Sequence, residues 1–175
     1  IQGALLVASN GDTINVMAGT YPGNINTLGR EVHIVGVAGH AVTFVDGGGA
    51  STGFNINSGE GPDLIIESLT IRNCMGAASG GGMYIFGSSP TILGCRFSEN
   101  ESGTDGGGIL LAGSEASISG CQFDSNVADN NGGGIAAFFS TIEIDSSDFI
   151  NNQAAEGGGI YCSATTVQLL SLIHI

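Results

Sequence analysis

Oxygen-bearing side chains cluster just before runs of glycine. Asp105, Asn131 and Glu156 each stand directly before a Gly-Gly-Gly triplet, and Asp129 lies close by. Carboxylate and amide oxygens are the ligands that calcium prefers in proteins. However, aspartate does not recur at one fixed place from repeat to repeat, as a repeated calcium site requires. We interpret these residues as solvated turn residues and predict no cofactor, with calcium as the alternative that the cluster leaves open.

Two arginines are the next candidates for chemistry. Counting from the glycine triplets places Arg72 and Arg96 at the same outward position of neighbouring repeats, with Gln122 and Asp148 following. Such a pair could face an acidic substrate, or it could offset the charge of nearby acids on the surface. We favour the second interpretation, because nothing else in the sequence completes a catalytic set around the two guanidinium groups.

Four cysteines offer little reactive chemistry. Cys95 and Cys121 occupy the same position in successive repeats and are expected to stack in the core. That spacing permits a disulfide, but Leu69 and Ser147 fill the same column, which favours a plain stack of small buried side chains. The sequence leaves both alternatives open. It contains no Cys-x-x-Cys motif and no Cys/His cluster, so we predict no zinc site.

The charge balance excludes two classes of partner. The chain carries 16 acidic residues against three arginines and no lysine, which gives a net charge of −13. Such a surface repels phosphate backbones and anionic lipid headgroups. No apolar run approaches the length of a membrane-spanning helix. We therefore predict no nucleic-acid partner and no membrane span in this segment.

A repeat of 25–26 residues must position all of these side chains. Three columns recur with it: glycine triplets beginning at Gly80, Gly106, Gly132 and Gly157; phenylalanines Phe97, Phe123 and Phe149; and asparagines Asn100, Asn126 and Asn152. A fixed period in this range is typical of a solenoid, in which each unit stacks on the last to bury a shared core.

The apolar residues of each repeat alternate in three short bursts, for example Ile109/Leu111, Ala116/Ile118 and Cys121/Phe123. Alternation with period two indicates strands, whereas 31 glycines in 175 residues disfavour helices. Three strands per repeat predict three parallel sheets around a narrow apolar interior. We predict an all-β fold, a right-handed parallel β-helix solenoid of about six coils, with the hand set by strand twist.

The asparagine and glycine columns are expected to form corners. Asparagine tolerates the left-handed backbone region, and its amide can bond to the coils on either side. The glycine triplets mark a corner that needs positive φ or close backbone approach. A phosphate-binding loop is not predicted, because no lysine follows and no strand-to-helix context surrounds the glycines.

We predict one β-helix domain over residues 1–169. Residues 1–9 are expected to form a helix that caps the open end of the stack. Residues 10–79 form irregular coils, with a protruding turn over 58–63, and residues 80–169 form the regular ones. Residues 170–175 break the repeat and resemble a translated adapter, so we interpret them as a foreign or truncated tail.

Two stretches carry a family resemblance. The first is Gly11-Asp12-Thr13-Ile14 with Ala18-Gly19-Thr20-Tyr21 and Val32-His33-Ile34-Val35-Gly36, and it resembles the opening coils of pectate-lyase-like β-helix proteins. The second is the Gly-Gly-Gly-Ile and Phe-x-x-Asn repeat, which is similar to repeats of chlamydial polymorphic membrane proteins and of bacterial surface proteins. Together they cover the chain to about residue 166.

The resemblance implies a fold more than an activity. Lyases of that fold hold calcium with several aspartates and use an arginine as base, and its hydrolases use clustered aspartates and an Arg-x-Lys motif. This sequence has no lysine, no paired aspartates and no Gly-His-Gly motif. These departures favour a segment without catalytic residues of its own.

The function predicted from the sequence is structural display or adhesion. The chain would be a non-catalytic fragment of a secreted or cell-surface, outer-membrane-associated bacterial protein, and its outward side chains would contact polysaccharide or a cell-surface partner. The alternative is part of a polysaccharide lyase or hydrolase whose catalytic coils lie outside this segment. A spacer without any ligand is the third class that the sequence leaves open.

Overall fold

The chain winds into a stack of parallel coils. The computed structural model describes residues 1–77 and 80–174, so Ser79, at the predicted boundary of the regular coils, and Ile175, in the predicted tail, lie outside the described residues. A short helix, α1 (Gln2–Leu5), opens the chain.

Every other regular element in the described residues is a short strand. In chain order the strands are β1 (Thr13–Val16), β2 (Gly19–Pro22), β3 (Ile25–Asn26), β4 (His33–Gly36), β5 (Thr43–Asp46), β6 (Phe54–Ile56), β7 (Ile65–Glu67), β8 (Thr70–Arg72), β9 (Met75–Gly76), β10 (Met83–Phe86), β11 (Thr91–Leu93), β12 (Arg96–Ser98), β13 (Glu101–Ser102), β14 (Ile109–Ala112), β15 (Glu115–Ser119), β16 (Gln122–Asp124), β17 (Val127–Ala128), β18 (Ile135–Phe138), β19 (Thr141–Asp145), β20 (Ser147–Ile150), β21 (Ile160–Ser163), β22 (Thr166–Leu169) and β23 (Leu172–His174).

Three long parallel sheets run along the stack, which confirms the predicted fold class. Sheet A has the order β1-β4-β7-β11-β15-β19-β22, sheet B the order β2-β5-β8-β12-β16-β20-β23, and sheet C the order β3-β6-β10-β14-β18-β21. A fourth, three-stranded sheet D, of β9, β13 and β17, was not predicted, because its two-residue strands carry no alternating pattern. Over the part of the chain that the structure describes, the strands form six coils and begin a seventh.

The register follows the repeat period. Ile92 pairs with Ile118, Phe97 with Phe123, and Met83 with Ile109, each 26 residues apart. At the far end of the stack, β23 pairs in parallel with β20. Equivalent residues of successive repeats therefore lie directly against each other, and side-chain columns form along the axis.

The interior holds the apolar columns. Phe97, Phe123 and Phe149 are buried, and their rings stack at centroid separations of 4.8 and 4.7 Å with planes nearly parallel. Isoleucines such as Ile118 and Ile144 fill the facing wall. A continuous dispersion contact along the axis follows, because each ring is sandwiched between its neighbours.

The helix predicted over residues 1–9 is shorter than expected. Asp12 accepts a hydrogen bond from the Ser9 backbone N–H and turns the chain toward β1. The helix still covers the first coil: Leu5 is fully buried, and the Gln2 side-chain amide exchanges two hydrogen bonds with the backbone of Asn26 on the edge strand β3. The Gln2 amide thus replaces a strand neighbour that this edge lacks.

Replacing Phe123 by alanine should empty the middle of the ring stack. We expect the free energy of unfolding to fall by about 3–5 kcal/mol, measured by urea titration. Phe86→Ala is the matched control, because that ring is 52 % exposed on the outside of sheet C, and its loss should change stability by only about 0.5 kcal/mol. Equal effects of the two substitutions would contradict the inward assignment.

Candidate functional site

The asparagine column ties the coils together. Asn126 Nδ2 donates to Asn152 Oδ1 at 2.9 Å and to the Phe97 carbonyl oxygen at 3.0 Å. Asn126 Oδ1 accepts from both the backbone N–H and the Nδ2 of Asn100. The Asn100 and Asn126 amides therefore link their own coils to both neighbours, and the Asn152 amide links its coil to the preceding one. These side chains serve the scaffold rather than a ligand.

The expectation that these asparagines adopt the left-handed backbone region is wrong. The residue before each one does so instead: Glu99, Ser125 and Asn151 have φ of 55°, 57° and 56°. The amide has to point along the stack to reach its partners, so the outward residue before it makes the turn.

The glycine triplets form a corner that tolerates no side chain. Gly106 has φ of 68°, and Gly132 and Gly157 adopt the same conformation. A Cβ on Gly107 would lie 2.5 Å from the carbonyl oxygen of Gly133 in the next coil. At Gly80 an added Cβ would meet the Met83 carbonyl oxygen. The triplets are therefore required by close backbone approach as well as by positive φ.

A hydroxyl column forms the corner between sheets C and A, and the sequence analysis missed it. The Ser88 backbone N–H donates to Ser114 Oγ, the Ser114 N–H to Ser140 Oγ, and the Ser140 N–H to Thr165 Oγ1. The repeat spacing of these four residues was the signal that could have revealed it.

Glu60 ends this column, which corrects the prediction of a simple protruding turn over 58–63. The Glu60 residue is only 2 % exposed. Its carboxylate accepts hydrogen bonds from Thr27 Oγ1 and the Gly29 N–H on one oxygen, and from the Ser58 N–H and Ser88 Oγ on the other. Four donors from three coils thus hold the carboxylate inside the corner.

We call Glu60 and these four donors the Glu60 cage, and they determine the pKa of the Glu60 carboxyl group. Burial acts to raise its pKa, but the hydrogen bonds from Thr27, Ser58 and Ser88 outweigh burial and hold the pKa below its usual value. A depressed folded-state pKa contributes stability that is present above the unfolded-state pKa, about 4.3, and is lost as the pH falls through the folded-state pKa.

The cysteines are all free thiols, so the disulfide alternative is excluded. Burial raises the pKa of Cys74 and Cys121 to about 12 and raises that of Cys95 well above its usual value. Burial also raises the pKa of Cys162, but that residue is exposed. Because the thiolate is the reactive species, the three core cysteines are inert packing groups.

The two candidate arginines do not share a column, contrary to the sequence analysis. Arg96 pairs with Thr70 and Arg72 with Ser98, because Arg72 follows the inward column of sheet B whereas Arg96 precedes it. Arg72 Nε donates to Asp46 Oδ2 at 2.9 Å, and its guanidinium lies 4.1 Å from the centre of the Phe44 ring.

Both guanidinium groups are matched by carboxylates. Arg96 Nη2 lies 2.6 Å from Asp124 Oδ2. Burial acts to raise the pKa of Asp46, but hydrogen bonds from the Gly48 N–H, Arg72 and Asn73 lower it overall. The cavity beside the arginines, about 310 Å³, also takes in Glu99. The positive charges of the two arginines are therefore balanced by nearby carboxylates, and the cavity does not favour an anionic ligand.

The acidic corner forms another column. Asp105, Asn131 and Glu156 lie on successive coils, and Asn131 Nδ2 donates to Asp105 Oδ1 at 2.7 Å. The asparagine separates the two carboxylates of the column. Within residues 1–77 and 80–174, no three His, Cys, Asp or Glu side chains come together as a metal-binding group.

A groove on the outer face of sheet A combines chemistry that the sequence did not indicate. It has a volume of about 300 Å³ and is lined by Pro62, Ser89, Pro90, Thr91, Glu115, Ala116, Ser117, Thr141 and Glu143. We call it the sheet A groove. Glu115 and Glu143 are exposed carboxylates on adjacent strands. Among its described lining residues none is basic.

Pro62, in the turn that follows Glu60, forms part of one wall of the sheet A groove. The Ser89 N–H donates to the Glu60 carbonyl oxygen at 2.7 Å, and Thr91 Oγ1 donates to the Pro62 carbonyl oxygen at 3.0 Å. The turn after Glu60 is therefore held against the start of β11 in the next coil. The groove is consequently a preformed feature of the fold.

Comparison with known proteins addresses the fold alone. A family model described as right handed beta helix region matches residues 24–171. No curated protein and no solved structure matches the chain. No helix in the described part of the chain is long and apolar enough to cross a membrane.

Glu60→Gln should weaken the fold in a pH-dependent manner. At pH 7 we expect a loss of about 1–3 kcal/mol in the free energy of unfolding, because an amide cannot accept all four donors of the cage. The difference from the parent should shrink toward acid pH, where the parent carboxyl is itself protonated. Urea unfolding from about pH 7 to pH 2 measures this, and exposed Glu101→Gln is the control. A pH-independent difference would contradict it.

Thiol titration should count one reactive cysteine in the native protein and all four after denaturation. The native reaction should disappear in Cys162→Ser, because the remaining thiols are buried and protonated. Titration with an aromatic disulfide reagent in buffer and in urea measures both counts. Rapid reaction of a second native thiol would show that the core columns are open.

Proposed function

The chain belongs to the family of right-handed β-helix regions, and we propose that it is a non-catalytic binding segment of a secreted or cell-surface protein. In this proposal it displays an outer face that adheres to polysaccharide or to a cell-surface partner. The observation that carries the proposal is the sheet A groove, where exposed carboxylates and hydroxyl-bearing residues line a preformed depression.

The scaffold supports display because its internal contacts run along the stack. The Asn126 amide and the Phe123 ring bond or pack against the coils on both sides. Outward side chains do not have to match those of neighbouring coils. For example, Thr91, Ser117 and Glu143 lie in one register column and differ in type. A site on such rigid strands needs little ordering when a ligand binds.

The groove chemistry suits a ligand rich in hydroxyl groups. The carboxylates of Glu115 and Glu143 are acceptors for ligand O–H groups, and serine and threonine hydroxyls can both donate and accept. Charge-assisted hydrogen bonds to carboxylates are the stronger kind. A polymer that lies across several coils would make these contacts repeatedly, and repeated weak contacts add up to useful avidity.

The charge of the chain supports an extracellular role in this proposal. A surface with net charge −13 and no lysine is strongly solvated and repels nucleic acid. Polysaccharides carry their recognition chemistry in hydroxyl groups, which such a surface can bind without opposing charge.

Co-sedimentation with insoluble polysaccharides tests this function. We expect the protein to bind at least one of cellulose, xylan, mannan and chitin, and to release neither reducing ends nor unsaturated sugars. The double variant Glu115→Gln/Glu143→Gln should weaken binding by about tenfold or more with an unchanged melting temperature. Glu99→Gln/Glu101→Gln, outside the groove, is the matched control.

Two outcomes would overturn the proposal. Release of sugar products would favour a lyase or hydrolase instead. Failure to bind any polysaccharide or intact cell surface would favour a spacer without a ligand.

A further inference from the structure

Phe139 stands at a corner where its coil neighbours carry glycine or alanine. The chain leaves β18 at Phe139 with φ of 51°, and Gly87, Gly113 and Ala164 hold the same position after β10, β14 and β21 with φ between 50° and 57°. Backbone bonds confirm the alignment, because the Gly113 N–H donates to the Phe138 carbonyl oxygen and the Phe139 N–H to that of Ser163.

Folding does not explain a phenylalanine at this corner. The left-handed region is unfavourable for a bulky residue, and glycine adopts it without strain. The Phe139 residue is also 75 % exposed, so it gains little from burial. An exposed aromatic ring on a strained backbone points to a role outside folding.

The surroundings of Phe139 connect it to the sheet A groove. A depression of about 280 Å³ lies beside the ring and is lined by Gly113, Ser114, Glu115, Phe139, Ser140, Thr141 and Ala164. Glu115 and Thr141 line both this depression and the sheet A groove. The ring therefore stands at the end of one longer groove that carries carboxylate and hydroxyl groups along its length.

We propose that the Phe139 ring is the stacking platform for one residue of a neutral polysaccharide lying in this groove. The inference rests on the proposed function and names its ligand class. The C–H face of a sugar ring packs on an aromatic face, and the hydroxyl groups at its rim reach Glu115 and Thr141. A flat apolar surface beside a few placed polar groups is the usual composition of a small-molecule site.

The negative charge along the groove favours a neutral ligand. Glu115 and Glu143 place two carboxylates on its floor, and among the described residues that line either depression none is basic. A uronate or sulfated sugar would bring like charges together, which weakens binding. The net charge of −13 acts in the same direction.

A protein partner fits this site less well. An exposed phenylalanine ring presents on the order of 150 Å², whereas a stable interface buries about 800 Å² on each partner. The residues beside the ring are mainly glycine, serine, threonine and glutamate rather than further apolar groups. One ring among hydrogen-bonding groups matches a single sugar residue.

Phe139→Gly is the decisive variant, because glycine is the residue that the two preceding coils carry at this corner, as Gly87 and Gly113. We expect its melting temperature to equal or exceed that of the parent and its affinity for neutral glycan to fall tenfold or more. Phe139→Tyr should retain binding, since it keeps the aromatic face. Phe86→Ala removes another exposed ring outside the groove and should bind like the parent.

Affinity electrophoresis through gels that contain soluble glycans gives the readout. The probes are hydroxyethyl cellulose, galactomannan and dextran, each beside its carboxymethylated counterpart. We expect retardation by at least one neutral glycan and weaker retardation by its anionic counterpart.

The outcomes separate this inference from the proposed function. Binding by Phe139→Gly equal to that of the parent would overturn the platform and leave the proposed function standing. Equal or stronger binding of the carboxymethylated glycan would overturn the neutral class. Failure of the parent to bind any polysaccharide would overturn the inference, and failure to bind intact cell surfaces as well would overturn the proposed function.

Discussion

In-register parallel pairing between successive coils is the constraint on which the molecule depends. Backbone hydrogen bonds hold neighbouring coils roughly 4.8 Å apart, so a residue always lies against its equivalents one repeat away. Like side chains then form columns: rings stack on rings, as Phe97 does on Phe123, and amides bond to amides, as Asn126 does to Asn152. The same spacing brings Gly107 and Gly133 so close that only glycine fits.

The columns explain how much of the structure could be predicted from the sequence alone. The three long sheets and their inward faces follow from residues that recur with the period, such as Ile118 and Phe123. Features that occur only once in the chain cannot be predicted from the repeat. The register of Arg72 was misjudged by two residues, and the burial of Glu60 depends on donors that lie far away in the chain. The left-handed turn falls on Glu99 rather than Asn100, because the partners of the amide decide which residue bends.

The candidate site was the least predictable part, for a related reason. A groove on the outside of the stack is made of residues that the fold does not select, so no repeat reveals it. Glu115, Thr141 and Phe139 come together only through the pairing of adjacent coils. Where the outward columns vary, the coil geometry still places each side chain accurately. The same scaffold can therefore carry different binding faces while its interior stays constant.

The Glu60 cage also affects the order in which the coils stack during folding. Coils whose inward side chains match are nearly interchangeable. A stack that skipped one coil during folding would still bury apolar side chains against similar ones. Glu60 removes that freedom on one side, because its carboxylate finds the Thr27 hydroxyl and the Gly29 N–H only in the preceding coil, whereas a serine equivalent to Ser88 recurs in later coils. Packing the Glu60 coil against any other preceding coil would take two of the four donors from a buried charge, which is unfavourable. One acidic residue thus fixes which coil follows the first in an otherwise periodic winding.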